Sequence, residues 1–231
     1  MPVLEIDPVV MSADSAMSPS SAFQALAAAA CQCLGELDAH VQKGKLPKLI
    51  ALTSRVRGTG PGVSFGNLVN ALLNASVGWI CPFEGCMTVR GSLLRGKDLV
   101  SMERDDAFLV LQFDPNTLDL PLHTHEDSDR FIIVIDGRGF FHASPDPLES
   151  GSSRRLRHTA VRDRDTVMFR RGTVHTFSTG EHPLTILSYH RPYISLADER
   201  QYTLSSKVEK PANFLKTARS EIVIAQSWST F

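Results

Sequence analysis

The sequence has almost no net charge. Its 231 residues include 24 lysines and arginines against 25 aspartates and glutamates, which leaves a formal net charge of −1 at pH 7. Proteins that bind nucleic acid or anionic membranes through electrostatic attraction carry clusters of basic residues. Because the chain shows no such basic stripe, we expect neither nucleic acid nor a membrane as a partner.

Long apolar segments are also missing. A helix that spans a bilayer needs about 20 consecutive apolar residues, and no stretch of the chain reaches that length. The N-terminus lacks the basic start and the apolar stretch of a secretory signal. These absences predict a cytoplasmic protein.

Cysteine is sparse, and its spacing fits no disulfide framework. The four cysteines are Cys31, Cys33, Cys81 and Cys86. The first two lie in a helical pattern, in which side chains two residues apart diverge. The other two flank a short loop that is compatible with a redox loop or half of a zinc site, but no further ligands follow at a familiar zinc-site spacing. We expect reduced, buried thiols.

The chain divides into four segments by pattern. Residues 1–20 show little periodicity and are expected to be an irregular leader. Residues 21–78 are predicted to form a helical extension, because apolar residues recur there at helical spacing. Each apolar stripe needs a partner surface, either the rest of this chain or a second subunit. Residues 79–195 have the character of strands, and residues 196–231 form a tail with a short helix and a strand.

The central segment predicts a mainly β fold. Short β-branched runs are separated by Gly, Pro and Asp turn signals, which is typical of an antiparallel barrel or jelly roll. Asp136-Gly137-Arg138 predicts a hairpin turn between Phe131–Ile135 and Gly139–Ala143. The other predicted strands are residues 97–103, 107–113, 156–161, 166–169, 175–178 and 185–190.

Three histidines are the candidate metal ligands. His123 and His125 are one residue apart, so that in extended backbone both side chains project to the same face. His175 enters a later strand just after a Gly turn. Imidazole is the commonest metal-binding side chain, and three imidazoles that converge from strands make an open metal site.

These stretches resemble the two sequence motifs of the cupin family. The segment from His123 to Gly137 is similar to G(X)5HXH(X)3-4E(X)6G, and Arg170 to His175 is similar to G(X)5PXG(X)2H(X)3N. The resemblance covers roughly residues 97–192. It implies an antiparallel jelly-roll β-barrel, with the helical extension outside it. It also maps the metal ligands of the family onto the same three histidines.

The fourth ligand of the family, a glutamate, is missing. Counting back from Gly137 places Arg130 at that position, whereas counting forward from His125 places Asp129 there. An arginine cannot donate a lone pair to a metal, and an aspartate has a shorter side chain. The second motif also lacks its first glycine, its proline and its asparagine. The pattern predicts a three-histidine site and leaves open which of the two neighbours faces the metal.

Three neutral histidines leave a divalent ion with its full charge and at least one open coordination position. In the cupin family, such a site resembles that of thiol dioxygenases. The resemblance implies Fe(II) as the first choice of metal, with zinc, nickel and manganese as alternatives, and oxygenation of a small organic substrate as the leading reaction. Arg130 would bind an anionic substrate through a carboxylate; alternatively, it is a surface residue paired with Asp127 or Asp129.

The remaining histidines divide into one candidate and several structural residues. His190 ends a late strand, where cupin enzymes often place a pocket residue, and we interpret it as a pocket acid or base; the alternative is a histidine bonded to backbone. Its neighbour Tyr189 would face the other way. His142 and His158 lie on strands that can pair and are expected to be structural, and His182 is expected to be solvated.

Two other functions remain open. One is a non-catalytic cupin that senses a small ligand or a metal, with the N-terminal helices as a docking surface. The other is a sugar isomerase or epimerase, which is less favoured because such relatives usually keep the glutamate. Amphipathic helices and exposed strands also favour a homodimer.

Overall fold

The computed structural model describes part of the chain. The described residues are 27, 28, 30–32, 34, 35, 50–53, 94–100 and 106–204, except 119, 154, 196 and 197. The predicted leader, the second predicted helix, the predicted helix and last strand of the tail, and three of the four cysteines lie outside the described residues. No helix among the described residues is long and apolar enough to cross a membrane.

The described elements are mostly short strands. They are β1 (Ile50–Thr53), β2 (Leu94–Val100), β3 (Ala107–Phe113), β4 (His123–Thr124), β5 (Asp129–Ser144), β6 (Arg157–Arg162), β7 (Thr166–Phe169), β8 (Val174–Ser178), β9 (Leu184–Arg191) and β10 (Thr203–Leu204), with 3-10 helices at Leu148–Ser153 and Glu199–Gln201.

The strands form two antiparallel sheets that share the long strand β5. One sheet has the order β1-β7-β5-β9-β3-β2, and the other has the order β10-β4-β8-β5, with β6 also paired to β5. Two antiparallel sheets that face each other across a shared core make a jelly roll. The predicted fold class, a mainly β antiparallel jelly roll, is confirmed.

The predicted hairpin around Gly137 is wrong, because β5 runs without a turn from Asp129 to Ser144. Its first half pairs with β7 and β9, and its second half pairs with β6 and β8. A register shift between Val134 and Asp136 marks a bulge where the strand passes from one sheet to the other. Gly137 has φ +81°, and a Cβ there would lie 2.0 Å from the carbonyl oxygen of Pro183. Glycine is needed at this point for the close approach of two backbones.

Three boundaries differ from the prediction. Residues 50–53, inside the predicted helical extension, form a strand that pairs with β7. The strand predicted at residues 97–103 runs from Leu94 to Val100. The barrel also continues past residue 195, since β10 pairs with β4. The local sequence does not indicate a long-range pairing of this kind, because whether a short segment forms a strand depends on what it packs against.

The cavity-facing side of the barrel is apolar over most of its area. A hydrophobic cluster of buried residues takes side chains from both sheets: Phe113, Leu120, Ile132, Val134, Phe141, Ala143, Val161, Val167, Phe169, Phe177, Leu184 and Ile186. Side chains alternate along each strand, so that Ile186, Ser188 and His190 of β9 line the cavity.

The outer face of the first sheet is covered by helical residues between 27 and 35. Ala27 and Ala30 are fully buried, and the Sγ of Cys31 lies 3.0 Å from the hydroxyl of Tyr189 on β9. That hydroxyl donates a 2.6 Å hydrogen bond to Asp106. The apolar stripe of this helix therefore packs on the barrel of its own chain. Cys31 is a free thiol, as predicted, but it is half-buried rather than buried. The rest of the helical extension stays a prediction.

Candidate metal centre

The three predicted ligand histidines lie together at one end of the cavity. His123 is on β4, His125 follows directly after it, and His175 is on β8, where it is the register partner of His123. One ring nitrogen from each lies within 4.8 Å of the other two. The ring centroids are 4.4 to 5.0 Å apart. Among the described residues, these three form the group that can hold a metal ion.

Each of the three rings directs its Nδ1 to a backbone carbonyl. The Nδ1 of His123 lies 3.1 Å from the oxygen of Pro121, and that of His175 lies 2.8 Å from the oxygen of Thr173. The Nδ1 of His125 contacts the oxygen of Gln201. Because a carbonyl only accepts, Nδ1 must carry the proton in each ring, and Nε2 is the lone-pair nitrogen. This is the arrangement that orients histidines as metal ligands.

Burial keeps these rings neutral. Burial lowers the pKa of His123 to about 4, and it lowers the pKa values of His125 and His175 well below 6.5. The charge of Arg130 lowers the pKa of all three further. A neutral imidazole is the form that binds a metal, so all three rings are in the metal-binding form at neutral pH.

The structure decides between the two neighbours at the position of the missing glutamate. Arg130 is 1% exposed and lines the cavity together with the three histidines. Asp129 points outward, where its carboxylate accepts from the backbone N–H of Arg171 at 2.9 Å and from the guanidinium at 3.3 Å. The alternative in which Arg130 is a surface residue paired with an aspartate is therefore excluded.

Among the described residues, the guanidinium of Arg130 has only neutral hydrogen-bond partners. Nη1 donates to the hydroxyl of Ser128, and Nη2 donates to the side-chain oxygen of Gln201 at 3.2 Å. Nε makes no hydrogen bond in the described part of the chain. Burial lowers the pKa of Arg130, and the nearby charge of Asp129 opposes that effect. A buried cation with an unused donor is a site that an anion would stabilise.

His190 also faces the cavity, as predicted. It is 1% exposed, and it is the register partner of Arg130 across β5 and β9. Its Nε2 lies 3.1 Å from the hydroxyl of Ser188. Burial lowers its pKa well below 6.5, and the charge of Arg130 lowers it further. Tyr189 points to the outer face, which the alternation along β9 predicts.

The cavity has a polar end and an apolar end. It encloses about 530 Å³ of empty space, including its open mouth. The four histidines, Arg130 and Ser188 line one end. Leucine, isoleucine and phenylalanine side chains make up most of the remaining lining, together with Thr176, Gln201 and Tyr202.

Gln201 is the residue that the sequence analysis missed. Its carbonyl holds the His125 ring, and its side chain holds Arg130. It lies in the short 3-10 helix Glu199–Gln201, which Asp198 caps by accepting a hydrogen bond from the N–H of Arg200. No motif signals it, because a lone glutamine in a tail gains its role only from the pairing of β10 with β4.

The other three histidines that the structure describes are placed away from the cavity. His142 is fully buried on the outer side of the second sheet. Its Nδ1 lies 2.5 Å from the Nδ1 of His158, and its Nε2 lies 2.6 Å from the hydroxyl of Ser178. His182 is exposed and contacts Arg138. All three positions agree with the structural or solvated interpretation.

No protein-family model matches the sequence, and a comparison with curated proteins finds no relative. Solved structures overlap with part of the fold. A cupin-2 domain protein, Rru_A2000 from Rhodospirillum rubrum, is 16% identical over 60% of this chain and 87% of its own, with a TM-score of 0.43. A cupin-like protein from Thermotoga maritima is 18% identical over 51% and 79%, with a TM-score of 0.37.

A DMSP lyase structure is 18% identical over 49% of this chain and 53% of its own, with a TM-score of 0.38. The match thus spans about half the length of that protein. These overlaps concern the β fold alone.

Proposed function

We propose that this protein is a mononuclear metal enzyme that acts on a small organic molecule, with His123, His125 and His175 as the metal ligands. One observation supports this most strongly: all three rings present Nδ1 to a backbone carbonyl, so that all three lone-pair nitrogens are Nε2. Three imidazoles are a donor set that suits several divalent ions. Fe(II) is our first choice, and zinc, nickel and manganese are the alternatives.

A divalent metal held by three neutral ligands would supply Lewis acidity and, in the case of iron, redox chemistry toward dioxygen. Oxygenation is the reaction that we favour. The residues of the chain would orient the substrate and limit the access of water. The apolar walls around Ile132, Phe169 and Ile186 lower the local dielectric, which strengthens polar interactions at the centre.

Arg130 is proposed to hold an anionic group of the substrate. It is buried beside the histidines, and its Nε has no hydrogen-bond partner in the described residues. A guanidinium binds a carboxylate through two parallel hydrogen bonds. This contact would fix the orientation of the substrate relative to the metal, which is where most of the catalytic benefit of positioning arises.

His190 is proposed to act as a proton acceptor. Burial lowers its pKa, so the ring is neutral at physiological pH and has one basic nitrogen. It lines the cavity beside Arg130 and contacts the hydroxyl of Ser188, which gives a short route for a proton away from a bound substrate. A His190→Gln variant should bind substrate with unchanged affinity and turn it over at least about 100-fold more slowly.

The test is the metal content of the purified protein, followed by oxygen consumption. We expect about one equivalent of iron by plasma mass spectrometry, and consumption of oxygen with small thiols or carboxylates. Stoichiometric zinc, nickel or manganese would favour non-redox chemistry, including the isomerase alternative. Absence of metal after purification without chelator, and after reconstitution, would contradict the enzyme and favour the binding module. The matched control is His182→Ala. Because that ring is exposed and away from the three ligands, the variant should have the same metal content as the wild type.

Two further predictions concern the whole molecule. The homodimer and the cytoplasmic location stay predictions. Sedimentation of the full chain would test the first, since a dimer should have about twice the mass of 25.4 kDa.

A further inference from the structure

The charged group at the polar end of the cavity has no counter-charge among the residues that the structure describes. No carboxylate lies within ion-pair distance of Arg130 in the described part of the chain, since Asp129 turns away to Arg170 and Arg171. The groups around Arg130 inside the cavity are a hydroxyl, an amide and neutral imidazoles. Burying a charge without a partner is costly, and a bound anion would remove that cost.

Gln201 is placed so that it keeps this charge available. Its Oε1 accepts from the Nη2 of Arg130 at 3.2 Å, and it is 2% exposed. A glutamate has the same length and would form a buried ion pair with Arg130, which would cancel the positive charge. The amide orients the guanidinium without neutralising it. A neutral side chain at this position therefore leaves the charge of Arg130 available to a bound anion rather than to a carboxylate of the protein.

The walls beyond Arg130 become steadily less polar. Along β9, His190 is followed on the cavity side by Ser188 and then by Ile186. On β5, Arg130 is followed by Ile132. A ligand whose acid group contacts Arg130 would place the remainder of its structure against aliphatic and aromatic side chains, where each buried methylene contributes to affinity.

We propose that the cavity binds a small monocarboxylate with an apolar chain, whose acid group contacts Arg130 while its chain lies along Ile132 and Ile186. This inference names the substrate class of the proposed function and therefore rests on that proposal. Gln201 is then a specificity-determining residue, because its neutral amide leaves one positive charge for one carboxylate.

The first experiment needs only the wild-type chain. Acetate, butyrate, hexanoate and hexanamide are titrated by calorimetry into chelator-treated protein and into zinc-loaded protein. Affinity should rise by about fourfold per buried methylene, so that hexanoate binds at least tenfold more tightly than acetate. Hexanoate should also bind at least tenfold more tightly than hexanamide, in both preparations, because Arg130 does not depend on the metal.

The second experiment changes the charge balance at Gln201. In Gln201→Glu, the preference for hexanoate over hexanamide should fall at least tenfold, since the new carboxylate pairs with Arg130. Gln201→Met is the matched control, which removes the hydrogen bond without adding a charge and should keep the preference. Circular dichroism and thermal melting establish that each variant folds; if Gln201→Glu does not fold, the wild-type series alone decides.

Several outcomes would overturn the inference. Equal affinity for hexanoate and hexanamide would show that no cation receives the acid group, and equal affinity for acetate and hexanoate would show that no apolar wall receives the chain. Binding of hexanoate only to zinc-loaded protein, unchanged in Gln201→Glu, would assign the acid group to the metal instead. A protein that prefers hexanoate but binds no metal would contradict the proposed enzyme and support this inference.

Discussion

The described part of the chain contains two clusters of histidines whose rings differ in their hydrogen-bond partners. In the group of His123, His125 and His175, each Nδ1 faces a backbone carbonyl. In the other group, His142 has a polar side chain on each ring nitrogen, His158 on one and Ser178 on the other. His142 is fully buried, as His175 nearly is, and burial lowers the pKa of His142 as it lowers the pKa values of the three candidate ligands. Burial alone therefore does not distinguish a metal site from a structural cluster.

The hydrogen bonds of the rings make the distinction. A carbonyl on Nδ1 fixes the tautomer and directs the basic Nε2 toward the common centre. A hydroxyl and a second imidazole use both nitrogens of His142, so that this ring has no lone pair left for a metal without breaking a hydrogen bond. The comparison predicts that the first group controls metal binding and that the second controls stability.

The largest expected effect is loss of the metal. In His175→Ala, metal affinity should fall by at least about 100-fold, because one of three ligands is gone. Plasma mass spectrometry of the purified variant should find well under one equivalent. His142→Phe is the matched variant from the other group and should keep its metal. Equal loss of metal in both variants would contradict the distinction between the two groups of histidines.

The next effect concerns stability at neutral pH. His142→Phe should lower the free energy of unfolding by about 2 to 3 kcal/mol, because Ser178 and His158 lose a partner in a buried environment. Urea unfolding followed by circular dichroism measures the change. His182→Phe, at an exposed position, should change the free energy of unfolding by less than about 0.5 kcal/mol. If the two variants behave alike, the His142 cluster is not a stabilising element.

A related effect appears as the pH falls. The folded-state pKa of His142 is lowered to about 3, so that between about pH 6.5 and 3 the unfolded chain binds a proton that the folded chain does not. Stability is complete above the unfolded pKa of about 6.5 and decreases by up to about 1.4 kcal/mol per pH unit below it, or about 2 kcal/mol at pH 5.

This part of the pH dependence should be absent in His142→Phe. The measurement is urea unfolding of metal-free wild type and variant at pH 7 and pH 5, in which the wild type should lose about 2 kcal/mol more than the variant. Parallel losses in the two proteins would indicate that His142 is not buried in the neutral form.

The smallest expected effect tests whether the metal group has a fourth ligand on the protein. Asp129→Asn should leave metal content unchanged, because this side chain points to Arg171 at the surface. An exposed ion pair contributes little, so the loss of stability should stay below about 1 kcal/mol. Arg171→Gln is the control on the other partner of the pair. Loss of metal in Asp129→Asn but not in Arg171→Gln would indicate that Asp129 is a metal ligand.

The sequence was most informative where side-chain direction follows from position. Alternation along a strand predicted that His190 and Tyr189 face opposite sides, and the structure places them so. The same alternation separates Arg130 from Asp129, but it does not state which of the two faces inward. That choice depends on the register of β5 against β7 and β9, which is a property of the assembled sheet.

The hairpin at Gly137 failed for a related reason. Asp-Gly between two apolar runs is a strong local turn signal, yet the same residues form a bulge in a strand that serves both sheets. Gly137 meets the two needs equally well, since positive φ and close backbone approach occur both in turns and in bulges. The partners that decide between them, β9 and β6, are far away in sequence.

The sequence by itself determined the mainly β class and identified the three histidines as candidate ligands, because these follow from residue type, alternation and spacing. The tertiary structure alone decided that Arg130 faces the cavity with no carboxylate partner among the described residues, and that Gln201 from the tail holds both Arg130 and His125. The physical reason is that hydrogen-bond partners and charge neighbours are set by pairings between distant strands, whereas local patterns act over a few residues.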